Sequence, residues 1–491
     1  MREQLPALIV ITPLVVALLS PLLAYFSRKL LRGFSLLALA VSFFSAVGVL
    51  KQVLETGPWH YAFGNWAPPW GIEYVIDPLS GFLATLIATL SFWVLVYAAE
   101  FFKAEKWYKE GGGYGLHLLA TAGLLGMSVS GDVFNLYVFF EISSLATYGL
   151  IALGGRQAVV AAFKYLVLGT MGISFYLLGV GYLYALTGTL NMQDLAVRIQ
   201  PVLNSSGVMI ALALMTIGLL LKMAQFPLHG WLPDAHTFAP APLSALMSGI
   251  VIKAPAYVLF RIYFGIIGSG AQAVSKLLMI LGIIAALGMI AGSLMAIAQS
   301  ELKRMLAYSS VAQIGYVVLG ISLGNSYGFI GALLHMVNHA FMKGCLFFVA
   351  GAFIYKTGEY SLDKLKGMYK QMPLAMGSFS LAAFSMIGIP PLAGFFSKWY
   401  LALGAIKANL WPYVLVIIIS SLLNLIYFFR VIENVYMSGE GAVVKRSKGL
   451  ELPLSMLIPI VVLGVGVLVL GLTNEQIVTR VLQNALLGGG F

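Results

Sequence analysis

Four ionisable residues, Glu141, Lys222, Lys253 and Lys398, lie inside long apolar stretches of this sequence. A charge at bilayer depth costs about 3 kcal/mol on insertion scales, so such groups persist where they pair, line a wet cavity or move ions. Taking a carboxylate or an amine out of water favours its neutral form, and an opposite charge nearby counters that effect. A set of both types therefore suits the passage of protons. Glu141 stands in FNLYVFFEISSLATYGL, with Tyr137, Ser144 and Leu145 one helical turn away. Its plain alternative is a packing glutamate bonded to a serine or tyrosine. Lys222 stands in IGLLLKMAQFPLHGWLPDAH, near the end of its stretch, where a lysine can also snorkel to the membrane surface. Lys253 is central in APLSALMSGIVIKAPAYVLF, from which snorkelling is difficult. Lys398 in GIPPLAGFFSKWYLALGAI has Trp399 and Tyr400 beside it, so an interfacial aromatic belt is its alternative.

His335, His339 and Lys343 recur at i, i+4 and i+8 in GALLHMVNHAFMKGCLFF and share one helix face, with Asn338 adjacent. Histidine titrates near neutrality and shuttles protons well. Two histidines one turn apart can also hold zinc. No glutamate follows His335, however, and Lys343 would repel a cation, so no metal site is expected. His229 and His236 flank Trp231-Leu232-Pro233-Asp234. They could carry protons between Lys222 and Lys253, or form a loop pair held by Asp234. Lys164 in AAFKYLVLGTMG is a weaker candidate of the same kind.

These residues belong to a chain of 491 residues that is 60% hydrophobic and 10% charged, where soluble domains carry about 25% charged residues. Apolar runs recur from end to end, which marks an all-α, polytopic membrane protein. The first run, 5–26, lacks a small-residue cleavage site, so no signal peptide is expected. The net charge of +11 is placed in short loops and reads as orientation rather than nucleic-acid binding. The single cysteine, Cys345, excludes an internal disulfide and reads as a small core residue. No GxGxxG after a strand, Walker loop, CxxC or haem-ligand pair is present. No cofactor is expected, and any enzymatic role is that of one part of a larger translocase.

About fourteen spans are expected, at 5–26, 31–51, 76–102, 113–130, 133–154, 157–187, 206–228, 242–266, 274–298, 301–323, 327–356, 374–406, 409–436 and 451–472. They group as an N-terminal three-helix segment (1–110), two five-helix units (111–270 and 271–440) and a C-terminal helix (441–491). Loops after odd-numbered spans hold most of the basic residues, among them Arg28, Lys29, Arg32, Lys303, Arg304, Lys445, Arg446 and Lys448. Loops after even-numbered spans hold few, including Lys51, Arg198 and Lys276. That asymmetry puts the odd loops in the cytoplasm and both termini outside a plasma membrane. The polar gaps, such as 356–372 and 437–450, read as connectors. The stretch 374–406 would be about 50 Å long as one helix at 1.5 Å per residue. It contains Gly388-Ile389-Pro390-Pro391, and the seventh span runs into Pro227, Gly230 and Pro233. Proline removes a backbone donor and breaks a helix. Each break lies close to a lysine, Lys222 or Lys398, and paired broken helices point to an inverted-repeat transporter.

At this point the residues resemble a known family, the antiporter-like subunits of complex I together with the D-type chains of Mrp sodium/proton antiporters. The segments that carry the resemblance are FFEISSLATYGLIAL, AAFKYLVLG, KMAQFPLHGWLPDAH, APLSALMSGIVIKAPAYVLFR, ELKRMLAYSSVAQIGYV, HMVNHAFMKGCLFF and GIPPLAGFFSKWY, in order over 115–400. The resemblance implies fourteen helices, with spans 4–8 and 9–13 as inverted repeats and spans 7 and 12 broken. It assigns Glu141 to the family's buried glutamate, Lys222 to the lysine that glutamate modulates, and Lys253 to the central connecting lysine. His335 and His339 match the polar path, and Lys398 the exit lysine. Such chains also occur in membrane-bound hydrogenases. The sequence stops soon after the last span, as D-type members do. The function expected is a proton-translocating subunit of a multi-subunit Mrp-type, complex I-like or hydrogenase-like assembly, partnered by neighbouring antiporter-like and small subunits. Glu141 being the one deep carboxylate in view, sodium is expected to pass, if at all, through other subunits. The competing classes are a stand-alone transporter of an organic solute, which needs a midplane cavity, and a passive or quinone-binding scaffold.

Overall fold

Apolar stretches in a membrane must satisfy their backbone internally, which here means helices. The computed structural model describes residues 4–103, 105–268, 274–436 and 451–487. The helices are α1 (Leu5–Phe26), α2 (Arg28–Thr56), α3 (Pro78–Phe102), α4 (Trp107–Val129), α5 (Val133–Ala152), α6 (Arg156–Thr187) and the short α7 (Met192–Arg198). They continue as α8 (Ser206–Lys222), α9 (Leu232–Phe238), α10 (Ala241–Ile266), α11 (Ser275–Ile297), α12 (Leu302–Ser322) and α13 (Ser326–Thr357). Then come α14 (Pro373–Ile387), α15 (Ala393–Lys407), α16 (Trp411–Tyr436) and α17 (Leu454–Leu472), followed by the short helices Asn474–Ile477 and Gln483–Leu487. Among the described residues, eleven helices are long and apolar enough to cross a membrane, and α8 and α14 are shorter apolar helices.

Local sequence sets several helix ends. Asp77 and Ser80 form a capping box at α3, each side chain accepting the other's backbone N–H at 2.8 Å. Asp132 accepts from the N–H groups of Phe134 and Asn135 at the start of α5, and Asn325 accepts from Gly328 N at the start of α13. Helix α10 is surrounded along its whole apolar stretch, and α12 and α13 nearly so, whereas α1, α2, α6 and α16 form the outer shell.

Both expected breaks are present. Helix α8 stops at Lys222, and Ala224 turns the chain with φ 56°, a left-handed conformation unusual for alanine. Trp231 Nε1 donates to the freed Leu221 carbonyl at 3.0 Å before α9 begins. The second break follows α14 at Gly388, φ 98°, and α15 resumes at Ala393. The peptide bonds Phe226–Pro227 and Pro390–Pro391 within the breaks are cis.

The structure adds one feature and corrects one reading. Between α2 and α3, β1 (Trp59–Ala62) pairs antiparallel with β2 (Glu73–Ile76) in the register Trp59–Ile76. This hairpin caps one end of the bundle. Its tie is Glu73, whose carboxylate accepts from Asn191 Nδ2 at 2.6 Å and contacts His60 Nδ1 at 3.0 Å. Lys303, read as a basic loop residue, is instead buried and donates to the carbonyls of Thr237 and Ala239 at 3.1 and 2.5 Å. Three further carboxylates, Glu73 in the hairpin, Asp77 at the start of α3 and Glu110 in the first turn of α4, are buried at element ends, Glu110 held by Arg32 at 2.7 Å and Arg28 at 3.4 Å. The connector 437–450, with Lys445, Arg446 and Lys448, lies outside the described residues, as do the junction at 270/271 and that at 440/441.

Candidate functional site

Lys222 sits in the last turn of α8, where the carbonyl end of the helix dipole favours a cation. Its ammonium is buried and donates to Ser144 Oγ at 2.5 Å and Tyr148 OH at 3.3 Å, both on α5. The rings of Tyr148 and Tyr165 each lie 5.7 Å from it, and Tyr165 stacks on Trp231 at 3.7 Å. The snorkelling alternative is thereby excluded for this structure, because the amine points inward. A close approach of backbone makes room for this cluster. At Gly169 of α6, a Cβ would overlap Tyr148 OH and stand 3.4 Å from Lys222 Nζ. Gly169→Ala is expected to destabilise the chain by about 1–3 kcal/mol through overpacking. Tyr148→Phe in the same chain removes the clashing hydroxyl and should restore most of the loss. Thermal unfolding in detergent reads both, and a double variant no more stable than Gly169→Ala would refute the account.

Glu141 departs from expectation. It is half-buried, and among the described residues it makes no hydrogen bond or ion pair. The Ser144 and Tyr148 hydroxyls that could have held it are given to Lys222 instead. Phe134, Val138 and Leu145, at helical spacing around Glu141, are exposed and make an apolar stripe on α5.

Lys253, wholly buried in α10, follows a π-helical turn at Met247–Val251 and donates to the Ser248 carbonyl. Such turns free a carbonyl from the regular ladder. Ser248 Oγ meets Ser310 Oγ of α12 at 2.9 Å. His236 in α9 is wholly buried, its ring stacked on Phe347 at 4.8 Å, and neither ring nitrogen has a partner among the described residues. Asp234 does not hold it; that carboxylate pairs with Lys164 at 2.8 Å and Arg304 at 3.5 Å. Lys164 is therefore an exposed surface cation, apart from the interior set. His229 is half-buried against Phe226, with its Nδ1 unpaired among the described residues.

Helix α13 presents His335, His339 and Lys343 to the interior, all wholly buried. The two imidazoles lie parallel, 5.9 Å apart. His335 Nδ1 is 3.0 Å from Ser397 Oγ of α15, while both nitrogens of His339 are unpartnered among the described residues. Lys343 donates to Leu306 O at 2.7 Å and to Ser309 Oγ, both on α12. Among the described residues no group of three or more potential metal ligands occurs.

Lys398 is buried and turns back to the end of α14, donating to the carbonyls of Met386 and Ile387 at 2.9 and 3.0 Å and to Ser421 Oγ at 2.9 Å. It therefore does not lie in an aromatic belt. Gly388 lets it pass, since a Cβ there would meet Lys398 Cδ at 3.2 Å. The Tyr316 ring lies 5.1 Å from the ammonium and 5.2 Å from His335. Sequence reasoning overlooked the serines and tyrosines that hold these amines. Their signal is weak, since Ser and Tyr are ordinary in membrane helices. It also overlooked Lys303 and Gln313, the latter buried with an unpartnered side chain among the described residues.

Comparison with known proteins agrees with this architecture. Residues 130–424 match the family described as NADH:quinone oxidoreductase/Mrp antiporter, TM. The chain is 52% identical to NADH-quinone oxidoreductase subunit N of Desulforudis audaxviator over 99% of both chains. It is 32% identical to the D-type chain of the Na(+)/H(+) antiporter of Alkalihalophilus pseudofirmus, covering 93% of this chain and 91% of that one. Its fold superposes with a TM-score of 0.91 on a chain of the membrane-bound sulfane sulfur reductase, an archaeal respiratory membrane complex, at 31% identity over 99% of this chain and 98% of the other.

Proposed function

Because the chain belongs to the NADH:quinone oxidoreductase/Mrp antiporter family of transmembrane subunits, we propose that it translocates protons as one membrane component of a larger complex. The observation that carries this reading is the lining of the interior. Lys222, Lys253, Lys343 and Lys398, with His236, His335 and His339, are all buried between helices of otherwise apolar sequence. Each amine is held by hydroxyls or carbonyls rather than by a carboxylate. An amine bonded only to neutral groups can give up its proton without leaving a counter-charge behind. Imidazoles with free nitrogens among the described residues, at His236 and His339, are suited to pass that proton on.

The path runs from Glu141 and Lys222 through His229 and His236 to Lys253, then His339, Lys343 and His335, to Lys398. The fourteen-span count and two inverted five-helix units are part of the same reading. On this reading the end with the basic loops faces the cytoplasm, and the hairpin end and both termini lie outside. Fifty-two per cent identity to a quinone oxidoreductase subunit, against 32% to an antiporter one, favours a respiratory redox complex as host. In that host, α5 faces another membrane subunit. The test is the complex that co-purifies with this chain, reconstituted in liposomes with a pH-sensitive dye. Lys222→Ala should remove this chain's share of proton uptake with the subunits still assembled. The proton uptake should also persist without sodium. Unchanged uptake in the variant, or a strict sodium requirement through this chain, would refute the proposal.

A further inference from the structure

Lys253, Tyr257 and Arg261 recur at i, i+4 and i+8, so they share one face of α10 and lead from its middle toward the hairpin end. Lys253 and Arg261 are the only charged residues of that helix, and Tyr257 stands between them. Tyr257 is wholly buried and donates to the Ser128 carbonyl of α4 at 2.6 Å. It accepts from Arg261 Nε at 2.8 Å, and its ring lies 5.0 Å from the guanidinium. Asp77, directly after β2, clamps the same guanidinium with both carboxylate oxygens, Nη2 to Oδ1 at 2.7 Å and Nη1 to Oδ2. Arg261 and Asp77 side chains are only 15% and 11% exposed. A second π-helical turn begins at Arg261 and runs to Ile266. The backbone of α10 is thus irregular at both of its cations, as at functional sites elsewhere.

We propose that Arg261, clamped by Asp77 and Tyr257, is a fixed electrostatic gate between Lys253 and the hairpin end of the chain. The proposal rests on Lys253 being part of a proton path. A guanidinium keeps its proton in proteins, so Arg261 cannot relay one. A fixed positive charge in a narrow polar route repels cations, protons included. The paired carboxylate cancels much of that charge at a distance, but it holds the two Nη groups and leaves Nε, bonded to the Tyr257 hydroxyl, as the positive edge on the Lys253 side. Protons reaching Lys253 are thereby barred from leaking along Tyr257 to the surface at the hairpin end, and are left to continue toward His339 and α13. Asp77 and Tyr257 are positioning residues for Arg261.

The test uses the complete complex in liposomes, with a pH-sensitive dye and an imposed pH gradient but no driving substrate. Arg261→Gln should raise passive proton leak about tenfold, equivalent to lowering one electrostatic barrier modestly. Arg261→Lys, which keeps the charge but not the fork, should leak like the native complex. Arg261→Gln combined with Lys253→Met should also return to the native rate. Arg261→Met serves in place of the glutamine variant where that one fails to assemble. A native leak rate in the uncharged variants, equal leak with lysine, or leak that survives loss of Lys253 would overturn the gate. If Lys253→Met alone leaves driven proton uptake intact, the relay reading itself has failed, a result distinct from these.

Discussion

Lys253→Met is expected to eliminate this chain's proton translocation while leaving the chain folded. The amine is wholly buried at the centre of α10, and it donates to one backbone carbonyl, that of Ser248. Methionine has nearly the same length and no proton to exchange. Exchanging a buried charge for an apolar side chain of similar volume is often neutral or stabilising. Stability should therefore hold or rise, while a lost acid–base group typically costs about 10²–10⁴-fold in rate. Dye-monitored uptake by the reconstituted complex measures the loss of transport, and thermal unfolding in detergent the stability. Lys253→Arg should not rescue transport, because a guanidinium does not release its proton near neutrality. Uptake at the native rate in Lys253→Met would count decisively against a path through α10.

Glu141→Gln gives the opposite dissociation between chain and complex. In the chain alone Glu141 is half-buried with no partner among the described residues. Its replacement should leave stability within about 0.5 kcal/mol, as for other surface positions. In the complex, the apolar stripe of Phe134, Val138 and Leu145 would be covered by a neighbouring subunit, and the carboxylate beneath it would lose its water. There its charge would act fully on Lys222. Driven proton uptake should fall about tenfold or more in the assembled complex, a loss of the kind expected when one charged partner is removed from a desolvated pair. A large drop in the stability of the isolated chain would show that Glu141 is a structural residue. Full uptake by the variant complex would show that it carries no signal to Lys222.

Much of this is legible in the sequence because charge is so costly in lipid. Lys253, His335, His339 and Lys343 stand out by type and spacing alone, and each is buried where an apolar periodicity places it. Helix breaks are equally legible, since Pro227 and the Gly388–Pro391 segment cannot continue a helix. The hairpin between α2 and α3 escapes such a reading because its strands are four residues each, too short for a periodic signal. Lys303 is misread for a related reason. A lysine just inside a helix after a polar turn looks like a loop cation until the chain returns from α9 and places the Thr237 and Ala239 carbonyls over it.

The residue types and their spacing by themselves determined that this chain is a helical membrane protein with ionisable groups inside its apolar stretches, because burial cost and helix periodicity are local properties. Only the tertiary structure decided which groups answer to which. It gave Ser144 and Tyr148 to Lys222 rather than to Glu141, turned Lys398 back onto the carbonyls of α14, and set Arg261 against Asp77 across 184 positions of chain. Partners so distant in sequence are chosen by packing, which no local pattern records.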